Sequence, residues 1–367
     1  MVEFLGGLLG LVLAAIAIRL LEPLARPLGL VDHPDHRKRH GAPVPLVGGL
    51  AILAGFLGTA GLMRLLFPLH FPEWPPYLLC VVLLVVVGIL DDAGSRIGPG
   101  IRALLQLAIA LIAAFSAHVI LSRLGNLWGT GAVETGPWAI PFTVLCLLGV
   151  TNALNLIDGV DGLAGLVSLA PLFWIGLFAT ANGRRGIGVA VSVLAGALVA
   201  FLLSNFEHAW RRHRVFLGSV GSTFLGFTLA WLLVHLSQAP HRELPPIVAV
   251  WLLGLPILDT VNVMLRRILH GRSPLHGGRD HLHHLLALLG LSSRSIALAE
   301  TAAAFLLGGV GYAGWIGHWP TPLLTWGFLA LALVYFSGFV ILDRRLGWVE
   351  DPEGMLPGEA AIDEEEG

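Results

Sequence analysis

The chain returns repeatedly to stretches of about twenty mostly apolar residues, and no other feature restricts its fold so strongly, because the core of a bilayer takes about 20 such residues per helix. Eleven stretches come near that length: 3–22, 45–67, 76–90, 101–121, 138–157, 161–181, 187–204, 216–236, 246–268, 296–316 and 321–342. Leu, Ala and Gly dominate them without the alternation of barrel strands, so helices are the expected way to satisfy the backbone in lipid. Composition agrees: 56% hydrophobic and 13% charged residues, with a mean hydropathy of +0.80, against about 45–50% apolar and about 25% charged in soluble domains. The sequence therefore predicts an all-α, polytopic helix bundle integral to the membrane. One domain occupies 1–345, and 346–367 is an acidic, disordered tail, "DPEGMLPGEAAIDEEEG" at its end.

The opening "MVEFLGGLLG" has Glu3 where a signal peptide carries basic residues and shows no cleavage site, so the first stretch is expected to span. Cys80 and Cys146 fall in apolar stretches, where a thiol packs as a small hydrophobe; neither a disulfide framework nor a Cys metal site is indicated. If loops alternate sides, five of the 22 Lys and Arg (Arg64, Arg123, Arg184, Arg185 and Arg242) lie on one side. The rest gather on the side of 23–44, 91–100, 205–215, 269–295 and the tail, which the positive-inside rule makes cytoplasmic. Eleven crossings then put the N-terminus outside and the C-terminus in the cytoplasm of a cell with this protein in its inner (plasma) membrane.

The long polar stretches share that cytoplasmic side, whereas opposite loops such as "FPLHFPEWPP" are short and rich in Pro and aromatics. The first polar stretch, "LVDHPDHRKRHGAPVPLVGGLA", sets Arg37, Lys38 and Arg39 beside Asp32, Asp35 and three His. Alone, the basic run reads as an anchor for lipid headgroups. Followed by "PVPLVGG", whose glycines allow close backbone approach at a helix start, it also suits a phosphate-handling loop. In the second, "VVVGILDDAGSRIGPGIRALLQ", Asp91 and Asp92 end an apolar helix. Adjacent like charges at a membrane boundary are costly unless a cation or base neutralises them; the bland alternative is a cap for the helix starting near Ile101, with Arg102 as counter-ion.

In the third, "NALNLIDGVDGLAG", a helix continuing through the stretch would place Asn152, Asn155, Asp158 and Asp161 on one stripe, able to coordinate a hard cation or hold a ribose or base edge. "DGVDG" also reads as a turn, although a turn does not require the upstream Asn pair. The fourth, "RRILHGRSPLHGGRDHLHHLLALLGLS", carries His270, His276, His281, His283 and His284 with Arg266, Arg267, Arg272 and Arg279. His281 and His284 have zinc-like spacing, but the loop lacks Cys and has Asp280 as its only acid. Imidazoles and guanidinium groups opposite carboxylates fit a highly charged anion such as a nucleotide diphosphate better. Acids for a divalent cation and bases for phosphates on one face are the equipment of phosphoryl transfer, and the apolar bundle implies that one reactant is lipid.

From about residue 3 to 342, these motifs resemble those of the polyprenyl-phosphate N-acetylhexosamine-1-phosphate transferases, a family of the glycosyltransferase 4 type. "VDHPDHRKRHGAPVPLVGG", "LDDAG", "NALNLIDGVDGLAG", "PILDTVNVMLRRI" and "SPLHGGRDHLHH" occur in the family's order, and the His loop is closer to the undecaprenyl-phosphate GlcNAc-1-phosphate branch than to the muramoyl-pentapeptide branch. The resemblance implies a UDP-N-acetylhexosamine and undecaprenyl phosphate as substrates, undecaprenyl-diphospho-sugar and UMP as products, and Mg²⁺ or Mn²⁺ as cofactor. It implies Asp91, Asp92, Asp158 and Asp161 as catalytic and metal-binding residues. Lys38, Asn152, Asn155, Arg279, His281, His283 and His284 would bind substrate. No nucleic acid is expected among the partners, and a homodimer stays open.

Two departures stand out. The family usually carries "F(M/L)GD.GS" before its eighth helix, with the Asp a metal ligand; here "VFLGSVGS" puts Ser219 in that place, and a hydroxyl is a weaker ligand than a carboxylate for a hard cation. Gly278 likewise stands where an Asp precedes the Arg. Rival readings are therefore a family member that binds nucleotide or lipid without turnover and, behind it, a transporter, whose polar residues would line a path near the midplane rather than gather at one interface.

Overall fold

The computed structural model describes residues 1–33, 43–69, 73–94, 98–116, 119–206, 214–238, 244–274, 278 and 280–346. The expected Lys38 and Arg279, His276 and the acidic tail lie outside them. Thirteen α-helices make up the described bundle: α1 Val2–Ala25, α2 Gly48–Leu66, α3 Trp74–Asp92, α4 Pro99–Ser116, α5 Ala139–Ile157, α6 Leu163–Ala181, α7 Arg185–Asn205, α8 Gly218–Ser237, α9 Pro246–Leu252, α10 Gly254–Leu269, α11 Leu282–Leu288, α12 Ser293–Ile316 and α13 Thr321–Leu346. Two short antiparallel ribbons complete it: β1 Val31–Asp32 with β2 Val44–Pro45, and β3 Arg123–Gly125 with β4 Val133–Glu134.

The all-α membrane architecture is the one expected, but the count of eleven spans is not reproduced. Among the described residues nine helices are long and apolar enough to cross a membrane, or ten if α9 and α10 are one broken span, bent by 83°. The break in the expected 246–268 stretch has a local cause. Pro256 lacks the N–H that would bond to Leu252, and its ring would crowd that carbonyl, so the helix stops at Leu252 and restarts at Gly254. The expected 101–121 stretch ends its helix at Ser116; by Leu121 the backbone N–H is held by the Thr143 hydroxyl at 2.8 Å. The short 76–90 and 187–204 stretches prove to be full-length helices.

Helix α8 is the centre. Every residue from Val220 to Val234 is buried, as expected of a helix apolar on all sides. Small residues let its neighbours approach closely: a Cβ on Gly49 would lie 2.2 Å from the Gly221 nitrogen, and one on Gly226 would lie 2.7 Å from the Thr151 Cα. Close backbone contact of this kind replaces the hydrophobic drive that helices lack inside lipid.

The two ends of α8 fix the two ends of the molecule. At its C-terminal end the Gln238 side chain accepts from the Ser122 and Arg123 nitrogens and donates to the Arg123 carbonyl, tying on the β3–β4 ribbon. At its N-terminal end Phe216 N donates to Pro45 O, while Gly48 N and Gly49 N donate to Phe216 O and Leu217 O. The latter end also receives the C-termini of α3, α5 and α7 and the N-terminus of α4, and it carries the candidate site.

Candidate active site

Asp91 and Asp92 arrive at this end on the last turn of α3. The Ser219 hydroxyl donates to Asp91 Oδ2 at 2.7 Å, and Arg102 of α4 donates to the same oxygen at 2.9 Å. Arg102 is thus the counter-ion read from the sequence. The capping is redirected: Asp92 accepts the backbone N–H of Ser219 at 2.8 Å and of Val220 at 3.3 Å, so the helix it caps is α8. A carboxylate there satisfies otherwise orphaned donors and meets the positive end of the helix dipole. Gly218, at φ +71, has no room for a side chain, because a Cβ would lie 2.6 Å from Asp92 Oδ2.

The "NALNLIDGVDGLAG" stretch divides where α5 ends. Asn152 and Asn155 stand on the helix, Asp158 caps its end with a non-helical ψ of 46°, and the chain turns through Gly162 at φ +69. The expected stripe therefore stops at Asp158, and the turn reading holds for the residues that follow. Asn152 is engaged by Gln106 of α4, to which its amide donates at 2.9 Å. Asn155 donates to the Ser222 hydroxyl at 2.8 Å, joining α5 to the first turn of α8. Asp161 pairs with Arg214, whose guanidinium lies over the Phe216 ring at 5.1 Å.

Asp158 differs from the other three acids, since no described residue donates a hydrogen bond to it. Burial, then the charges of Asp92 and Asp161, push its carboxyl up to about 8. Three acids within electrostatic reach, one without any donor, form an environment that a cation would relieve.

The His loop comes to the same place from the other side. Gly159, next to Asp158, leaves space for His283: a Cβ at that glycine would lie 2.5 Å from His283 Nε2. His283 stacks at 5.8 Å on His281, nearly parallel, and touches His284 at 4.1 Å. His281 and His283 are both buried, and among the described residues His281 Nε2 and both His283 nitrogens have no hydrogen-bond partner. Burial and the neighbouring His284 push the His283 ring down to about 3. Arg267 grips Asp280 through two nitrogens, its Nε at 2.7 Å from Oδ2, and Arg266 donates to the Asp280 carbonyl at 3.2 Å.

The profile of Glycosyl transferase family 4 matches residues 74–237, the stretch from α3 through α8 that holds the four acids and Ser219. Over 313 residues the chain is 33% identical to the undecaprenyl-phosphate alpha-N-acetylglucosaminyl 1-phosphate transferase of Escherichia coli (strain K12), covering 85% of this chain and 83% of that one. The chain belongs to glycosyl transferase family 4. Relatives with the same name come from Salmonella typhi, 34% identical over 321 residues (88% of this chain, 85% of the relative), and from Haemophilus influenzae, 30% identical over 355 residues and 95% of each chain.

In this family 4 chain the structure brings Asp91, Asp92, Asp158, Asp161, Asn155, His281, His283 and His284 to one end of the bundle, with Asn152 turned to α4. Among the described residues no three His, Cys, Asp or Glu side chains converge closely enough to hold a metal ion by themselves. The donor set nevertheless fits a divalent cation in charge, because Asp158 has oxygens free beside like-charged neighbours. Sequence reasoning gave Arg267 a place in the His loop but no role at this end to Arg214, Ser222 and Asp259. For Asp259 a signal existed: an acid inside an apolar helix needs an explanation.

Proposed function

We propose that this membrane enzyme transfers N-acetylglucosamine 1-phosphate, or a closely related N-acetylhexosamine 1-phosphate, from its UDP-sugar to undecaprenyl phosphate. UMP leaves, and the lipid-linked product starts a cell-envelope polysaccharide. The observation that carries the reading is the junction at Gly159, where Asp158, to which no described residue donates a hydrogen bond, meets the buried imidazoles of the His loop at the mouth of an apolar bundle. Cation-seeking acids, anion-seeking bases and a lipid-facing scaffold meet there, and the names of the relatives supply the substrates.

In the reaction, an oxygen of the lipid phosphate forms a bond to the β-phosphorus of the UDP-sugar. The bond from that phosphorus to the bridging oxygen breaks, and UMP departs with the electron pair. A phosphomonoester has a second pKa of about 6, so the attacking oxygen is ionised at neutral pH without a protein base. Asp158 would be the first ligand of Mg²⁺ or Mn²⁺, which when bound neutralises diphosphate charge, and Asp91, Asp92 and Asp161 would draw the ion there by their charge. His281, His283 and His284, with Lys38 and Arg279 beyond the described residues, would hold the diphosphate oxygens, and Asn155 would line the nucleotide side. Holding both reactants in line at this interface supplies much of the rate, because effective molarity in oriented pairs is large.

The excess of Lys and Arg in the loops at this end supports a cytoplasmic site in the inner membrane, where UDP-sugars are present. Ser219 favours the alternative of binding without turnover; yet its hydroxyl and N–H hold Asp91 and Asp92 in place, a use for the residue compatible with activity. Purified protein incubated with undecaprenyl phosphate and a panel of UDP-sugars, with Mg²⁺ or Mn²⁺, should release UMP and form lipid-linked sugar with UDP-GlcNAc. No product from any UDP-sugar, in an assay where the E. coli relative works, would overturn the proposal.

A further inference from the structure

Asp259 lies on α10, just past the break in the bent pair, and is 2% exposed. Helix α10 exposes Val261, Leu265, Ile268 and Leu269 and buries Asp259, Asn262 and Arg266 together with Leu255, Leu258 and Val263. A carboxylate inside a membrane bundle is costly unless donors surround it. Asp259 has three: His281 Nδ1 at 2.7 Å on Oδ2, and on Oδ1 the Leu282 N–H at 2.9 Å and the Tyr335 hydroxyl of α13 at 3.2 Å.

This set of contacts does more than satisfy a buried acid. A carboxylate at Nδ1 requires the proton on that nitrogen, which fixes the ring's orientation and leaves Nε2 as the outward atom. Nε2 is buried and has no partner among the described residues. The parallel His283 ring beside it reaches Gly159, the neighbour of Asp158. Buried nitrogens without partners are unfavourable in a resting protein; a diphosphate oxygen can only accept, so in the complex Nε2 carries a proton of its own and donates it to that oxygen, the ring standing as an imidazolium between the Asp259 carboxylate and the diphosphate.

We propose that Asp259, braced by Tyr335, is a positioning residue that aims His281 Nε2 at the diphosphate of the UDP-sugar. The proposal rests on the transferase reading for the identity of the ligand. Asp259 touches no substrate; it acts through His281, and the lipid phosphate is indifferent to it.

The test measures binding of UDP-GlcNAc by calorimetry, and KM for both substrates, in the wild type, Asp259→Asn, His281→Gln and the double variant. Asp259→Asn is expected to weaken UDP-GlcNAc binding about tenfold, the loss of one hydrogen bond involving a charged group, with the KM for undecaprenyl phosphate unchanged. The double variant should bind no worse than His281→Gln alone, as residues acting through one contact are non-additive. Losses that multiply in the double variant, equal rises in both KM values, or a lowered melting temperature with unchanged binding would overturn it. Should Asp259→Asn fail to fold, Tyr335→Phe keeps the carboxylate and removes one donor; a weakening of about threefold that vanishes in a His281→Gln background is expected, and unchanged binding overturns the proposal. Wild type that binds without turnover breaks the transferase reading alone; wild type that turns over while Asp259→Asn binds normally breaks this inference alone. No binding and no turnover breaks both.

Discussion

The acid cluster around α3, α5 and α8 and the His loop on α10 and α11 meet at Gly159, yet they are built in opposite ways. In the first, Asp91 and Asp92 are held by Arg102, Ser219 and the α8 N-terminus, and the unmatched group is a carboxylate, Asp158. In the second, Asp259 and Asp280 are held by His281, Tyr335 and Arg267, and the unmatched groups are imidazole nitrogens. In each cluster the other charged groups are paired, and groups of one kind are left without a partner among the described residues. The lesson is that the partner-free groups, rather than the most densely bonded ones, mark where cation and anion are to be received.

The strongest way to break this contrast is at Asp158. Asp158→Asn should reduce turnover by at least about 10²-fold, the scale of losing a group that stabilises transition-state charge, while the melting temperature of the cation-free protein at neutral pH does not fall, since the amide replaces a carboxyl that is largely protonated there. Normal turnover would take Asp158 out of the site.

A second test uses pH to separate the clusters. His283 stays neutral in the fold down to about 3, whereas an unfolded His begins to charge near 6.5. The unfolded chain therefore binds more protons across that window, and stability from a neutral His283 is complete above about 6.5 and lost as pH falls, about 2 kcal/mol by pH 5. Asp158, raised from 3.8 to about 8, has the opposite sign: its proton favours the folded state, so its contribution declines as pH rises through that window. His283→Leu should lose the acid-side decline and keep the alkaline-side one. Melting curves at pH 5 and pH 7 that shift equally in wild type and variant would contradict the assignment.

The smallest effect is expected at Ser219. Ser219→Ala removes one hydrogen bond to Asp91 but keeps the N–H to Asp92, and should cost about 1 kcal/mol of stability, measured by thermal unfolding in detergent. Ser219→Asp should instead crowd the acids, lowering the melting temperature without metal and enlarging the rise produced by Mg²⁺ or Mn²⁺. An unchanged metal response would show that position 219 does not face the cation.

Much of this architecture is readable in the chain because lipid leaves few options: apolar length gives helices, and acids at a membrane boundary stand out against it. What escapes such reading depends on partners far apart in sequence. Asp92 looks like a cap for the helix that follows it, but serves α8, 127 positions on. The α9–α10 stretch has the length and hydropathy of one span, and its break depends on where Pro256 falls relative to the Leu252 carbonyl. Asp259 lies in a recognisable motif, yet its use appears only when the loop 22 residues further on folds back to it. Asn152 shares its spacing with Asn155, and only the neighbouring helix reveals that it faces Gln106.

Asp158 is to receive a cation beside the imidazoles that receive the anion, and the response to Mn²⁺ alone tests this most directly. Thermal unfolding of the purified protein should shift upward by several degrees as Mn²⁺ is added, since a ligand binding only the folded state stabilises it by mass action, while Asp158→Asn should show little shift at the same concentrations. Equal shifts in wild type and Asp158→Asn would contradict the account.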